Sequence, residues 1–392
     1  MNTLYMIGNT HFDPVWLWTW DEAMASIRAT FRSALERMDE DPGFIYSFCT
    51  PAVFEWIENV DPAMFEEIRK RVKEGRWDVE AEGWWLQPDC NIPGGESLIR
   101  QGLYGQRYVE SRFGRRATTV FNIDSFGHSA MTPQIMRKCG LSYYVFSRPG
   151  SHEMDLEDSL FDWESPDGSV VTAYRSGSDD AAGSYPQDTA RAIENWRAVL
   201  PGKSHDMMQV YGVSDHGGAP TKRAIKDIRE AMEQNDAISV RFGGTGDFFE
   251  AQKGKKRPVV RGELPTRNYG PFSNHTETKR NNRVCEYGLN HAERAAVLAS
   301  AVCGTEYPRE KLYQCWKDLM FNQFHDILGG CCIPEAFYDI RNRHGRLLQN
   351  AGEVRHYALQ TVCRRIRTFG DNKDSVWNVC LFNLNGSPFR GP

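Results

Sequence analysis

The stretch ATTVFNIDSFGHSAMTPQIMRKCGLSYYVFSR, residues 117–148, decides the fold class. Thr119 to Ile123 is an apolar run with strand character, Pro133 to Cys139 carries helical spacing, and Tyr143 to Phe146 is again a β run. Strand, helix and strand at this spacing form a βαβ unit, which sets its two strands parallel in one sheet. The same alternation continues toward the N-terminus. Leu4 to Gly8 reads as a strand, Asp21 to Met38 as a helix with Met24, Ile27, Phe31, Leu35 and Met38 on one face, and Tyr46 to Phe48 as a strand. Pro62 to Lys73 follows as a helix, Trp77 to Glu80 as a strand and Ser97 to Phe113 as a helix. The alternation predicts an α/β domain with a parallel sheet, open or closed into a barrel. In such sheets functional side chains sit just past the C-terminal strand ends. His11, Asp13, Asp124 and Arg148 all lie there.

From Lys279 the pattern changes. Asn281 to Cys303, Arg309 to Ile327 and Pro334 to Arg367 carry helical periodicity without intervening strands, which predicts an appended helical bundle. Beyond Asp371, Val376 to Leu384 reads as one strand that begins a β domain. The predicted division is 1–270 as the α/β domain, 271–370 as the helical domain and 371–392 as the first strand of a truncated β-sandwich domain.

A 392-residue chain that is 40% hydrophobic and 25% charged has ample length for two folded domains. The net charge of −5 and the absence of clustered Lys and Arg argue against a nucleic-acid partner. The short run Lys253, Lys255, Lys256, Arg257 reads as a solvated loop. No stretch is apolar enough for a signal peptide or a membrane span, so no membrane partner is expected. Ten cysteines without a CxxC pair suit a reducing cytoplasm and exclude a thiolate zinc site. The 11 Trp exceed what a core requires; they fit sugar-stacking clefts as well as packed interiors.

Four segments can carry chemistry. In His11-Phe12-Asp13, a His and an Asp two apart at a strand end point to the same side and can reach one metal ion; a plain turn has the same text. Trp16, Trp18 and Trp20 follow at even spacing, as a cleft wall or a buried stripe. Asp124, delivered by an apolar strand into Ser125-Phe126-Gly127, is a nucleophile, a metal ligand or a helix cap. Asp215 sits before Gly217-Gly218, where glycines let the backbone approach a ligand or make a turn. His325-Asp326 closes an otherwise apolar helical run as a functional or a structural pair.

Taken together, HFDPVW (11–16), NIDSFGHS (122–129), GVSDHGG (212–218) and NQFHDILGG (322–330) resemble the signature blocks of the family 38 α-mannosidases. Gly83-Trp84-Trp85 to Arg100, with Asp89 and Glu96, and Tyr269 to His275 extend the resemblance over nearly the whole chain. The resemblance implies a distorted parallel (β/α)7-type barrel, a three-helix bundle and the start of a C-terminal β domain. It implies one Zn2+ held by His11, Asp13, Asp124 and His325, with Asp124 as nucleophile and Asp215 as general acid and base. Arg148 is implied to orient Asp124 and Trp16 to stack on the sugar, while Asp326, His275 and His128 are either supporting partners or structural residues. The activity implied is retaining, exo-acting hydrolysis of terminal α-D-mannosides of oligosaccharides; self-association is left open.

Phe12 and Pro14 depart from the commonest form of the first block without removing a ligand. The family's larger β domains lie beyond residue 392, so the chain reads as a catalytic N-terminal region that is expected to keep its metal and to be slow or inactive without them. Two other functions share part of this chemistry. A metal-dependent polysaccharide deacetylase would also use His and Asp ligands but needs no acid at Asp215. A silent mannose-binding module would keep Trp16 and the metal and likewise dispense with Asp215.

Overall fold

A computed structural model describes residues 1–177, 183–234, 237–367 and 379–391. The chain forms two compact units, one of Met1–Thr276 with Gln323–Phe337 and one of Glu277–Asn322 with Tyr338–Pro392. In the first unit the order is β1 (Thr3–Gly8), α1 (Trp20–Glu40), β2 (Tyr46–Ser47), α2 (Pro51–Val60), α3 (Pro62–Lys73), β3 (Trp77–Asp78), α4 (Gly95–Phe113), β4 (Thr119–Asn122), α5 (Thr132–Lys138) and β5 (Tyr143–Phe146). There follow β6 (Leu160–Glu164), β7 (Val170–Arg175), α6 (Thr189–Val199), β8 (Met207–Tyr211), α7 (Lys222–Met232), β9 (Ser239–Phe242), α8 (Thr245–Ala251), β10 (Val259–Arg261) and the single turn α9 (Gly270–Ser273).

One sheet has the order β3-β2-β1-β8, with β9 also on β1, and every pairing in it is parallel. The other has the order β10-β6-β7-β5-β4, parallel except for the antiparallel β6–β7 pair. Strand pairing among the described residues therefore forms two sheets and no closed barrel. Side-chain and loop bonds bridge the gaps instead: Thr118 and Thr119 both donate to the Glu80 carbonyl at 3.1 Å, and the Tyr174 hydroxyl donates to the Met208 carbonyl at 2.7 Å. Strand β3 is shorter than the apolar run predicts because Glu80 N turns to the Asp78 carboxylate, 2.9 Å away.

Strand β1 is buried at five of its six residues, as a parallel strand covered on both faces must be. Beside it, α1 turns Ile27, Phe31, Ala34, Leu35 and Met38 inward at helical spacing. Phe31 meets Trp77 edge-on at 5.2 Å and Phe48 at 5.1 Å, and such pairs each add about 0.5–1.5 kcal/mol beyond area burial. A second core under the other sheet joins Trp84, Tyr144, Phe146, Phe161 and Trp163.

In the second unit three long helices, α10 (Thr276–Cys303), α11 (Arg309–Asn322) and α13 (Ala336–Cys363), are linked pairwise. Ala295 and Ala299 pack on Ala358 and Val362, the Trp316 indole donates to Glu293 at 2.8 Å, and Lys311 pairs with Glu353 at 3.0 Å. The helical run predicted over 309–327 breaks after Asn322. Phe324 adopts φ −50°, ψ 140°, and α12 (His325–Gly329) begins afresh. The cause is a competing backbone partner: Asp89 N donates to the Gln323 carbonyl at 2.9 Å and His325 N to the Gln87 carbonyl at 3.3 Å. The predicted C-terminal strand lies partly in 371–378, outside the described residues. Residues 379–391 form no strand, and Phe382 and Leu384 pack against the Ala295–Val362 cluster.

Helix α4 docks closely on the segment that leads to the site. A methyl at Gly105 would lie 2.4 Å from the Gly83 carbonyl oxygen, whereas one at Gly95 in the same helix meets open space. Gly→Ala inside a helix ordinarily gains about 0.5–1 kcal/mol, but overpacking of this kind costs about 1–3 kcal/mol. Gly105→Ala is therefore expected to lower the unfolding free energy and Gly95→Ala to leave it level or raise it. Urea denaturation of the two variants beside the parent checks the opposite signs.

Candidate active site

The loops that leave β1 and β8 stay paired beyond the sheet. Asn9 N donates to the Tyr211 carbonyl and Asp13 N to the Asp215 carbonyl, each at 2.9 Å, and Phe12 bridges Asp215. This brings His11 and Asp13 beside Asp215, which holds φ +65°, a left-handed conformation that Asp tolerates better than most residues. Strand β4 delivers Asp124, whose loop is pinned by Ser125 Oγ on the Pro88 carbonyl at 3.0 Å and by Ser147 Oγ on the Ile123 carbonyl. Strand β5 delivers Arg148. The break before α12 turns His325 inward, where it is wholly buried.

These side chains converge. His11 Nε2 lies 2.7 Å from Asp13 Oδ1, and His325 Nε2 lies 3.6 Å from both Asp13 Oδ1 and Asp124 Oδ2. The two imidazoles face each other at 5.4 Å. Arg148 Nη1 holds the other Asp124 oxygen at 2.7 Å and donates to the Asp124 carbonyl at 3.0 Å. Potential ligand atoms fall into three overlapping groups, His11–Asp124–His325, His11–Asp13–Asp215 and Asp13–His325–Asp326, each within 4.8 Å.

The donor atoms fit a divalent cation. His11 Nε2, His325 Nε2 and Asp13 Oδ1 are buried and have no hydrogen-bond partner, so His11 and Asp13 meet at contact distance without hydrogen-bond alignment. Lone pairs left in this way cost free energy unless something positive lies between them. His325 Nδ1 faces the Gln87 carbonyl at 3.2 Å, which makes Nδ1 the protonated nitrogen and leaves Nε2 free to ligate. Two imidazoles with carboxylates suit zinc, while cobalt or manganese share the preference for such mixed donors.

The electrostatics follow from burial and proximity. Burial would depress the His11 imidazolium, yet the Asp13 carboxylate beside it raises its pKa to about 10. Burial alone would raise the Asp124 carboxyl, but His325, His11 and Arg148 together hold it down at about 2. Asp326, buried against the same acids, is pushed up. Glu82, buried beneath the site and accepting from Thr50 Oγ1 at 2.7 Å, is raised to about 7 chiefly by that burial.

The remaining sequence candidates divide. Asp326 joins the cluster, its Oδ2 3.8 Å from His325 Nε2 and without a hydrogen bond. His128 is structural: its ring spans the Tyr144 hydroxyl and the Arg148 carbonyl, both at 2.7 Å, and so steadies the arginine loop. His275 stacks on Phe337 at 3.7 Å. Trp16 is half-buried on the loop after Asp13, edge-on to Trp18 at 5.7 Å. Trp18 is buried, its indole donating to the Asp13 carbonyl at 2.8 Å. Residue patterns do not single out Gln87, Tyr185 or Phe126. Gln87 acts through its backbone carbonyl, and the Tyr185 hydroxyl, bonded to Asn9 Oδ1, reaches the site from 176 residues away. Phe126 lies under the Arg148 guanidinium at 5.4 Å and edge-on to His325 at 6.0 Å.

The fold and pocket define an α/β protein with a buried cluster of imidazoles and carboxylates at the C-terminal ends of parallel strands. Comparison with known proteins is decisive about kinship. The model of the glycosyl hydrolases family 38 N-terminal domain matches residues 1–270, and that of the alpha mannosidase middle domain matches 269–362; the chain belongs to glycosyl hydrolase family 38. It is 28% identical over 358 residues to alpha-mannosidase G of Dictyostelium discoideum, covering 88% of this chain and 32% of that protein. It is 28% identical over 363 residues to alpha-mannosidase 2C1 of Homo sapiens, covering 89% of this chain and 34% of that protein. The chain thus spans about a third of the length of these curated relatives. The crystal structure of an alpha-mannosidase from Enterococcus faecalis V583 shares the fold, with TM-score 0.79 and 20% identity over 93% of this chain and 43% of that one. Among the described residues no helix is long and apolar enough to cross a membrane.

If the convergent atoms hold one cation, its uptake must expel the His11 proton, so affinity is expected to rise with pH between 6 and the His11 value of about 10. His325→Ala should weaken binding by about tenfold to a hundredfold, because supporting and ligating groups act at that scale. Titration of the metal-stripped protein with Zn2+ by calorimetry at several pH values checks both; affinity flat with pH and untouched by His325→Ala would refute the shared site.

Proposed function

We propose that this chain carries the catalytic groups of a zinc-dependent, retaining, exo-acting α-mannosidase that hydrolyses terminal α-D-mannosides of oligosaccharides. The observation that supports it most is the meeting of unpartnered atoms of His11, Asp13 and His325 beside Asp124, while Arg148 grips the outer oxygen of Asp124. Bound there, Zn2+ would supply Lewis-acid stabilisation of sugar hydroxyls and of the charge that develops on the ring.

Asp124 is the nucleophile. Held near pKa 2, its carboxylate is ionised throughout the working range, and Arg148 fixes its orientation for attack at the anomeric carbon. Asp215 is exposed at the rim, with Oδ1 accepting from Ser214 Oγ at 2.8 Å, and acts as acid and then base. In the first half-reaction Asp124 bonds to the anomeric carbon, the glycosidic carbon–oxygen bond breaks, and the Asp215 proton goes to the departing oxygen. In the second, Asp215 takes a proton from water, whose oxygen displaces Asp124 at the same carbon. Two inversions give net retention. Trp16, half-buried beyond Asp13, offers an aromatic face to the sugar.

In domain terms we take 1–270 as the catalytic domain and 271–370 as the helical domain, whose chain returns through 323–337 to supply His325. Ten free cysteines support assignment to the cytoplasm.

Asp215→Ala is expected to lower kcat/KM on 4-nitrophenyl α-mannoside by about a hundredfold or more, the usual weight of general acid–base catalysis. A chelator should abolish turnover, and a fluorinated mannosyl fluoride should label the peptide that contains Asp124. Proton NMR of the first product should show α-mannose; β-mannose appearing first would overturn the double displacement.

A further inference from the structure

The acid loop is fastened to the rest of the site by a residue that the mechanism above leaves unused. His216, next to Asp215, packs on the Trp18 indole with ring centroids 4.2 Å apart. Its Nε2 lies 3.2 Å from Glu22 Oε1 and 3.3 Å from Ser26 Oγ, both on α1. Trp18 in turn donates to the Asp13 carbonyl at 2.8 Å, and Asp13 N donates to the Asp215 carbonyl at 2.9 Å. The contacts close a ring: Asp215 to Asp13, Asp13 to Trp18, Trp18 to His216, and His216 back to Asp215 through the chain.

The other side of the loop is pressed onto the same helix. Gly218 N donates to Thr30 Oγ1 at 2.8 Å, and Gly217 comes so close that a methyl there would stand 2.4 Å from that oxygen. Asp215 itself holds φ +65° with an exposed side chain, so neither its own backbone preference nor burial keeps it in place. The His216–Glu22 contact is solvent-exposed, 46% and 59% at the two side chains, and an exposed ion pair of this kind contributes little by itself. Its weight comes from combination with the tilted ring contact to Trp18, which holds the imidazole from a second side.

We infer that His216 is a positioning residue that holds Asp215 at the height from which it reaches the departing oxygen. The inference rests on Asp215 being the acid and base. It follows that His216 matters where the leaving group needs a proton and not where it departs as a stable anion. A displacement of about an ångström in a reacting group costs up to a hundredfold, which sets the scale.

The test compares kcat/KM on two α-mannosides, one with 2,4-dinitrophenol as leaving group and one with unactivated phenol. His216→Ala is expected to lose about tenfold to a hundredfold on the phenyl substrate and less than about twofold on the dinitrophenyl substrate. His216→Gln, which keeps a donor for Glu22, should recover much of the loss. The double variant Glu22→Gln, Ser26→Ala, remote in sequence from the acid, should show the same selectivity as His216→Ala. Equal losses on both substrates would reduce His216 to a scaffold residue, and no loss on either would remove its role; both overturn the proposal. The Asp215→Ala variant is the separate control on the underlying assignment. If it shows no greater loss on the phenyl substrate than on the dinitrophenyl one, Asp215 is not the acid, and the assignment on which the inference rests fails.

Discussion

Burying ionisable side chains whose lone pairs point at one another is the constraint on which the rest of this structure depends. His11, Asp13 and His325 are each at most 2% exposed, yet the atoms they turn inward have no hydrogen-bond partner. An isolated buried charge is strongly unfavourable, so the arrangement persists only because the surrounding backbone allows nothing else and because opposite charges lie within 4 Å. The scaffold answers with several independent restraints. The Asp13 loop is paired to the Asp215 loop, the Asp124 loop is tied to Pro88 through Ser125, and His325 is held from behind by Gln87.

The same constraint separates two kinds of acid. Asp124 is enclosed by cationic partners and pulled to a low pKa. Asp215 stands exposed on a glycine-rich loop, its carboxylate accepting from Ser214 Oγ and lying near His11 and Asp13. The proposed nucleophile and proton donor would require these opposite surroundings. His11 and Asp13 after β1 are buried, while the loop after β8 turns outward through Gly217 and Gly218, whose φ values of +100° and +137° take it back over α1.

Much of this was legible in the linear text. Apolar runs ending in His11-Phe12-Asp13 and in Asp124 announce parallel strands with functional residues at their ends, because a strand buried on both faces needs continuous hydrophobicity. Predicted and observed elements agree from β1 to β5 except for helix α2 (Pro51–Val60), which the predicted alternation lacks, and for β3, which is shorter than predicted. The continuous helix predicted over 309–327 is where local periodicity misleads: the apolar spacing persists through Phe321, Phe324 and Ile327, but the backbone of Gln323 and His325 bonds to the loop that holds Gln87 and Asp89. A closed barrel is likewise not formed by strand pairing, since two short strands, β2 and β3, end the first sheet after two residues each. Trp18 shows the converse, for a residue that the spacing offered as cleft wall or buried stripe becomes the buried strut of the acid loop.

By itself the sequence determined the alternation of strands and helices, the change to an all-helical region near residue 279, and the set of imidazole and carboxylate side chains that stand as candidates for chemistry. These are properties of periodicity and residue type, which are local. Only the tertiary structure decided that residues 11, 13, 124 and 325 fall into overlapping groups, which His325 nitrogen faces the cluster, and that His216 lies against Trp18. Those outcomes depend on backbone carbonyls and on contacts between distant segments, and a carbonyl looks the same in every residue until the fold gives it a partner.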